Sequence, residues 1–478
     1  MGRKYTPSNN NKELNDLVSQ YEAAKTENRQ YYLDGDAFAA IADYYDGEHR
    51  YIDAQEVIDQ GLHIHPNNMY LLIQQSYLYL DTDNLDLAKE VADKITENFE
   101  TDVKILKAEI LLNEGQLDGA KEILSGVEND DLDTIVNIVY LYLDMGYPEA
   151  AEEWIKKGEI DYNYKEDFIG VKADFLSSTN QLDEAAKYYN QLIDIDPYNA
   201  TYWIGLAKSR FANEECEQCI EACDFALAAD EDCGEAYAFR AHSYFYLDNA
   251  DEAIENYLKA IEYKSIPPEM GYMFLGMVYG NKGEWENARD NFQKVIDMYN
   301  ANGEGSSILT VDTYTHLATA TYQLHNYEEA HQLCEKAKAI DPDYPTIALT
   351  EGKIYLKEGL NEMASKAFSE ALEKESGPEM WYLIGSAYAD EDQLAEAKYF
   401  YEKTYDIDPE YMGVVEKLTV LNLMLNSIDD FFKYNKESKT PINAEQIIES
   451  LSKLDHSEET KQMLIEVLAR MREEKGDE

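Results

Sequence analysis

An alanine returns at intervals of about 34 residues along most of this 478-residue chain. The series occupies eleven positions, ten of which hold Ala and one Cys: Ala54, Ala88, Ala120, Ala151, Ala185, Cys219, Ala253, Ala288, Ala330, Ala364 and Ala397. A larger apolar residue often follows four places later, as at Tyr189, Tyr257 and Phe292. One residue type recurs in register this often when each copy holds the same place in a repeated structural unit.

Residues 268–299 show the unit most clearly. Apolar residues recur there at helical spacing on both sides of Gly283, which interrupts the pattern. They are Tyr272, Leu275 and Tyr279 before this glycine and Trp285, Phe292 and Val295 after it. Gly276 and Ala288 supply the small side chains that two closely crossing helices need, because larger ones would push the backbones apart. The unit is therefore predicted to be a helical hairpin.

The hairpin pattern is found eleven times. The predicted hairpins start near residues 35, 69, 101, 132, 166, 200, 234, 269, 311, 345 and 378. Hairpins of this kind bury their core against their neighbours and extend in one dimension. We therefore predict one array over residues 35–410, and not the roughly three globular domains that the chain length alone suggests.

The last repeat carries the most complete motif. Its residues match the pattern W-x2-L-G-x2-Y, followed by A-x3-F and then P, at Trp381, Ile384, Gly385, Tyr388, Ala397, Tyr401 and Pro409. The chain thereby resembles the tetratricopeptide repeat (TPR) family over residues 35–410. The resemblance implies an all-α fold, a right-handed α-solenoid or superhelix of about eleven TPR hairpins. It also implies that the first helix of each hairpin lines a concave groove.

The segments outside the array are predicted to cap it, because an end repeat otherwise exposes its core to water. Residues 1–34 are read as a polar tail and an N-terminal capping helix, and residues 411–478 as a degenerate repeat with C-terminal capping helices. Thr440 and Pro441 are predicted to open one of these helices. Inside the array, Asn300–Ser307 is rich in Gly, Ser and Asn and is predicted to be a loop, either a tolerated insertion or a hinge.

The charge of the chain limits its partners. The formal net charge is -55 at pH 7, which repels nucleic acid and anionic membrane surfaces. Two explanations of this acidity remain open: solubility of a large exposed surface, or attraction of a basic partner. The N-terminal residues lack an apolar leader, and no apolar run is long enough to span a bilayer, so a cytoplasmic location is predicted.

Four of the five cysteines lie close together, at Cys216, Cys219, Cys223 and Cys233. Their spacing allows a zinc site. However, the first three occupy the repeat positions of Trp285, Ala288 and Phe292, where the hairpin needs buried apolar groups, so core packing is the preferred interpretation. The sequence contains no phosphate-binding glycine loop, nucleophile elbow or HExxH motif. No catalytic residue, metal or cofactor is predicted.

A protein-binding groove is the remaining kind of site. The resemblance places the second, fifth, ninth and twelfth positions of each repeat on the concave face. In repeats six to eight we predict that this face includes Ile204, Lys208 and Phe211, then Ala238, His242 and Phe245, then Met270, Met273 and Met277. Flexible Met side chains suit adaptable recognition of apolar groups. The alternative is that these side chains pack against adjacent repeats.

Together these features predict a non-catalytic scaffold that binds a protein or peptide segment in the concave groove. The alternative is an acidic accessory or regulatory subunit that docks a basic partner or an enzyme through its outer face.

Overall fold

The computed structural model describes residues 11–27, 32–128, 130–303, 308–444, 446, 462 and 465–471. Helices are the only regular elements in these residues, which confirms the predicted all-α class. The chain divides into two compact units, residues 1–247 and 248–478. The boundary falls between the two helices of the seventh predicted hairpin.

The first unit contains fourteen described α-helices. They are α1 Asn11–Thr26, α2 Gly35–Gly47, α3 Tyr51–Ile64, α4 Met69–Asp81, α5 Leu85–Ala92, α6 Thr101–Asn113, α7 Leu117–Ser125, α8 Leu132–Asp144, α9 Glu152–Asp161, α10 Glu166–Ser178, α11 Leu182–Ile195, α12 Ala200–Ala212, α13 Cys216–Ala229 and α14 Gly234–Tyr246. A 3-10 turn, Pro148–Ala151, precedes α9. The second helices α5 and α7 have only 8 and 9 residues, which accounts for the shorter sequence period of repeats two and three.

The second unit continues the series among its described residues. Its helices are α15 Ala250–Glu262, α16 Pro268–Asn281, α17 Trp285–Asn302, α18 Ile308–Gln323, α19 Tyr327–Ile340, α20 Pro345–Lys357, α21 Asn361–Lys374, α22 Pro378–Asp390, α23 Leu394–Ile407, α24 Val414–Met424 and α25 Ile428–Glu437. A 3-10 turn, Tyr411–Gly413, precedes α24. Residues 465–471 form a further helical turn whose Val467 packs on Phe431 and Phe432.

Hairpins stack in each unit so that first helices contact first helices. In the first unit α8 contacts α10, α10 contacts α12 and α12 contacts α14. In the second unit α16, α18, α20 and α22 form the corresponding series. We call the surface that these first helices form in each unit the first-helix face. Side chains on this face therefore meet residues from the repeats before and after their own.

The eleven small positions, ten in second helices and Ala151 in the 3-10 turn before α9, are all fully buried. Each of the ten Ala residues, and Cys219, has a relative exposure of 0%. A side chain that is never exposed in eleven repeats marks the line along which the two helices of a hairpin approach most closely. The facing positions on the first helix are equally tight, since a Cβ added at Gly276 would lie 2.5 Å from the Phe292 ring. The predicted hairpin packing is confirmed.

Each hairpin turn inside a unit contains one residue in the left-handed backbone region. Their φ angles lie between 56° and 77°, and the residues are His49, Asp83, Gly115, Gly146, Asn180, Glu214, Gly283, His325, Gly359, Asp392 and Asn426. Glycine adopts this conformation without strain, and Asn and Asp tolerate it better than other side chains. Glu214 is the least suited residue of the series.

Replacing Glu214 by Gly is expected to stabilise the first unit by about 1 kcal/mol, because it removes the left-handed strain of a residue that carries a Cβ. Urea unfolding followed by circular dichroism measures the change. Glu214→Gln is the matched control, since it removes the charge and keeps the strain. Equal stabilisation by both variants would assign the effect to charge.

Two local predictions were wrong. Asn300–Asn302 was assigned to a loop, but these residues extend α17, and Gly303 ends this helix with φ 79°. Helix α18 also starts earlier than predicted, so part of the inserted segment belongs to α17 and α18. Residues 304–307 lie outside the described part of the chain. The C-terminal helix was predicted to open at Thr440, but the structure is not helical until Ala444. There Asn443 Oδ1 accepts from the Gln446 amide N–H at 3.0 Å, and Gln446 Oε1 accepts from the Asn443 N–H at 2.9 Å, a reciprocal cap that Thr440 does not make.

A helix, α1, occupies the described part of the predicted N-terminal cap. On α1, Val18 and Tyr21 are buried against Phe38 and Ile41 of α2. The polar tail before Asn11 lies outside the described residues.

Candidate protein-binding face

The predicted groove residues of repeats six and seven lie on α12 and α14, in the first unit. Ile204 and Ala238 are buried, so they support the packing of these helices. Lys208, Phe211, His242 and Phe245 are partly exposed. The accessible part of the predicted site in this unit is thus one cation, one imidazole and two phenyl rings.

Aromatic rings gather around Phe211. Its ring centroid lies 5.8 Å from Phe239, 5.9 Å from His242 and 5.7 Å from Tyr246, within the range of favourable ring contacts. Phe245 contacts Tyr246 at 6.1 Å, and Tyr246 is 71% exposed. We call Phe211, Phe239, His242, Phe245 and Tyr246 the aromatic cluster. It offers a partly exposed aromatic surface.

Lys208 is held at the border of the aromatic cluster by residues of the next repeat. Its Nζ lies 3.2 Å from Glu235 Oε1 and 5.8 Å from the centroid of Phe239. The pair is half-exposed, so it contributes little to stability. It can nevertheless exchange partners with a charged ligand at low cost.

Burial lowers the pKa of His242. An imidazole with a depressed pKa is neutral at neutral pH. His242 therefore contributes an aromatic ring to the cluster, and not a positive charge.

The sequence interpretation missed Phe239 and Tyr246. Tyr246 follows His242 by one helical turn, a spacing at which side chains share a face. This spacing could have identified Tyr246 as part of the site from the sequence. Phe239 could not be recognised in this way, because its contact with Phe211 depends on how α12 and α14 cross.

The three Met residues lie on α16, in the second unit. Met270 is 47% exposed. Met273 and Met277 are partly buried and pack against a core that includes Phe292 and Val311, and Thr313 Oγ1 lies 3.9 Å from Met273 Sδ. Met273 and Met277 therefore fill the space between α16 and α18, and Met270 is the most accessible of the three.

A cation of the second unit was also missed. Lys353 lies on the first-helix face at the ninth position of its repeat and makes no ion pair with any described residue. Burial lowers its pKa, and nearby Asp390 opposes this effect. Burial likewise raises the pKa of Asp390. Lys353 is thus a partly buried amine that the Asp390 carboxylate compensates in part.

The cysteines follow the packing interpretation. Cys216, Cys219, Cys223 and Cys334 are buried, and Cys233 is partly buried. Cys219 and Cys223 belong to the core of the first unit, beside Ala222 and Ala226. In the described part of the chain, no three His, Cys, Asp or Glu side chains are grouped in a way that could hold a metal ion. None of the described helices combines the length and hydropathy needed to cross a membrane.

Known protein families match this chain in the segments that carry the repeat pattern. Three family models, each described as tetratricopeptide repeat, match residues 269–343, residues 322–387, and the three segments 167–199, 234–266 and 378–411. The chain is a tetratricopeptide repeat protein. The matched TPR segments include α10, α11, α14 and α15 and run through α16 to α23.

Two relatives from Dictyostelium discoideum are similar to this TPR protein. Anaphase-promoting complex subunit 7 is 22% identical over 247 residues, 52% of this chain and 41% of the relative. The DnaJ homolog subfamily C member 7 homolog is 21% identical over 291 residues, 53% of each chain. The aligned part of this TPR protein thus spans about half or less of these relatives.

Two solved structures match most of the chain at low identity. Yeast Tom70 is 16% identical with a TM-score of 0.43, and the match covers 92% of this TPR protein and 96% of that chain. The APC/C hetero-tetramer Cut9-Hcn1 is 13% identical with a TM-score of 0.36, covering 86% and 93%.

Proposed function

We propose that this TPR protein is a non-catalytic scaffold that binds a protein or peptide segment in a concave groove formed by its first helices. The aromatic cluster on α12 and α14 carries this proposal. Large, rigid and partly exposed rings lose little side-chain entropy on binding, and such rings dominate the energy of protein interfaces. The supporting charge is Lys208, which lies beside the cluster in the same unit.

The chemistry of the face favours a segment with apolar side chains. The cluster can receive aromatic or aliphatic groups, and Met270 offers a flexible contact of the same kind. The Lys208–Glu235 pair can accept either sign of charge, because each member can leave its partner for a charged group of the ligand. The net charge of -55 favours a partner that is basic overall.

We further propose that this interaction occurs in the cytoplasm. All five cysteines are free thiols, which suits a reducing compartment.

Site-specific photo-crosslinking tests where the segment binds. A photoreactive phenylalanine analogue is placed at Phe245 or Met270, on the first-helix face, and in matched chains at Leu87 or Leu258, two exposed positions on second helices. We expect partner adducts from the first two positions only. Adducts from Leu87 or Leu258 alone would show that the partner docks through the outer face and not in the groove.

Introducing a negative charge on the first-helix face is expected to weaken binding of the crosslinked partner. Phe245→Glu and Met270→Glu should each lower the affinity by at least about tenfold, or 1.4 kcal/mol, because a carboxylate must then be desolvated against apolar groups. The melting temperature should change little, since neither side chain is buried. Leu87→Glu is the control. Unchanged affinity of both variants would contradict groove binding.

A further inference from the structure

A second surface of the first unit has the features of a binding site. It consists of the turns that join consecutive repeats after α9, α11 and α13, at residues 162–165, 196–199 and 230–233. Because the hairpins stack in one direction, these turns follow each other along one edge of the unit. The Tyr202 hydroxyl on α12 donates to the Glu166 carboxylate on α10, which ties adjacent repeats together at this edge. We call this surface the turn edge.

An exposed aromatic stack lies on the turn edge. The rings of Trp203 and Phe225 are stacked at 4.6 Å with an angle of 23° between their planes, yet Phe225 remains 48% exposed. Tyr198, in the turn beside them, is 83% exposed. Aromatic side chains with this much exposed area gain free energy when a partner covers them.

The turn edge is held by hydrogen bonds to its own backbone. Trp203 Nε1 donates to the Pro197 carbonyl at 2.9 Å, and in the next repeat the Tyr237 hydroxyl donates to the Glu231 carbonyl at 3.3 Å. Both contacts join the fourth position of a repeat to the turn six residues earlier. The Trp203 and Tyr237 rings are therefore held in place before a partner binds, which lowers the entropy cost of binding.

Charge decides the kind of partner that fits this edge. Exposed carboxylates in or beside the three turns include Asp161, Asp194, Asp196, Asp230, Glu231 and Asp232. Lys165 is the one basic residue within these turns, and it lies 5.4 Å from the centroid of the Tyr164 ring. A second copy of this acidic chain or a nucleic acid would be repelled here, whereas cations are attracted both by carboxylates and by the faces of aromatic rings.

We propose that the turn edge binds a segment of a partner protein in which Arg or Lys residues alternate with apolar residues. The cations lie between the carboxylates and over the aromatic rings, and the apolar side chains cover Phe225 and Tyr198. This site is centred on the inter-repeat turns, and none of its residues belongs to the aromatic cluster. It therefore does not depend on the proposed function of the groove.

A labelled peptide of alternating Arg and Leu, added to the full chain, tests the proposal by fluorescence anisotropy. Phe225→Ser should weaken its binding by about fivefold or more, because the variant removes the exposed ring of the stack. Asp194→Asn with Asp230→Asn should weaken it by about threefold at low salt and have a smaller effect at high salt. Peptides with Gln for Arg, or Ser for Leu, should bind more weakly than the parent.

Matched control variants distinguish binding at the turn edge from nonspecific attraction of the peptide to an acidic protein. Leu258→Ser removes an exposed apolar side chain elsewhere, and Glu362→Gln with Glu373→Gln removes two exposed carboxylates of α21; all should change binding by less than about twofold. In the groove variant Phe245→Glu, the additional Phe225→Ser substitution should weaken peptide binding by the same factor as in the natural chain, even if Phe245→Glu abolishes partner binding. Equal losses in the edge and control variants, or tight binding of the Gln peptide, would overturn the proposal. If the chain self-associates and Phe225→Ser abolishes this self-association, the turn edge binds a second copy of the chain. That result would also overturn the proposal.

Discussion

Replacing Phe368 by Ala is expected to lower the free energy of unfolding by about 3–5 kcal/mol. The ring is almost fully buried, contacts Tyr388 at 5.3 Å and lies against Gly352, where an added Cβ would come within 2.3 Å of it. Gly352 has no side chain that could fill the resulting cavity. The loss of stability therefore includes both the transfer free energy of the ring and the cost of the cavity. Urea unfolding monitored by circular dichroism measures it.

Two comparisons make this prediction specific. Phe225→Ala truncates the same side chain type at the surface and should cost about 1 kcal/mol or less. Gly352→Ala should destabilise the natural chain but be tolerated in the Phe368→Ala background, because the clashing ring is then absent. Additive effects of the two substitutions would show that Gly352 and Phe368 do not share this space.

Replacing Ala288 by Leu is expected to destabilise the second unit by about 1–3 kcal/mol, because the larger side chain must enter a fully buried position between α16 and α17. Repeat arrays couple through neighbouring interfaces, so the damage should be greatest near the substitution. Hydrogen exchange should show the largest loss of protection in α16, α17 and α18.

The control for Ala288→Leu is Glu286→Ala, an exposed residue on the same helix. It should leave the exchange rates nearly unchanged, since surface substitutions of this kind have small effects. A uniform loss of protection along the whole unit after Ala288→Leu would contradict nearest-neighbour coupling.

Much of the fold could be predicted from the sequence because the repeat imposes the same packing constraint many times. Ala54, Ala288 and their equivalents were recognised by period alone, and all are buried as expected. The failures at Asn300–Asn302 and Thr440 have a common cause. Polar and small residues are compatible with helix ends, turns and helix interiors, so composition could not place the boundary without the hydrogen bonds of the cap.

The candidate site was less predictable than the fold. Helical position indicated that Met270, Met273 and Met277 share a face of α16. It could not show that α18 approaches that face closely enough to hold Met273 and Met277 in the core. The predicted binding role of these residues stays a prediction.

The sequence by itself determined the helical hairpin, its period and the positions where only small side chains fit, because these follow from spacing along one chain segment. The tertiary structure alone decided which distant side chains meet. Lys208 pairs with Glu235 at 3.2 Å, and Trp203 stacks on Phe225 at 4.6 Å, although the partners in each pair are more than twenty residues apart. Such contacts depend on how helices cross, and a crossing angle is set by the packing of all neighbouring side chains together.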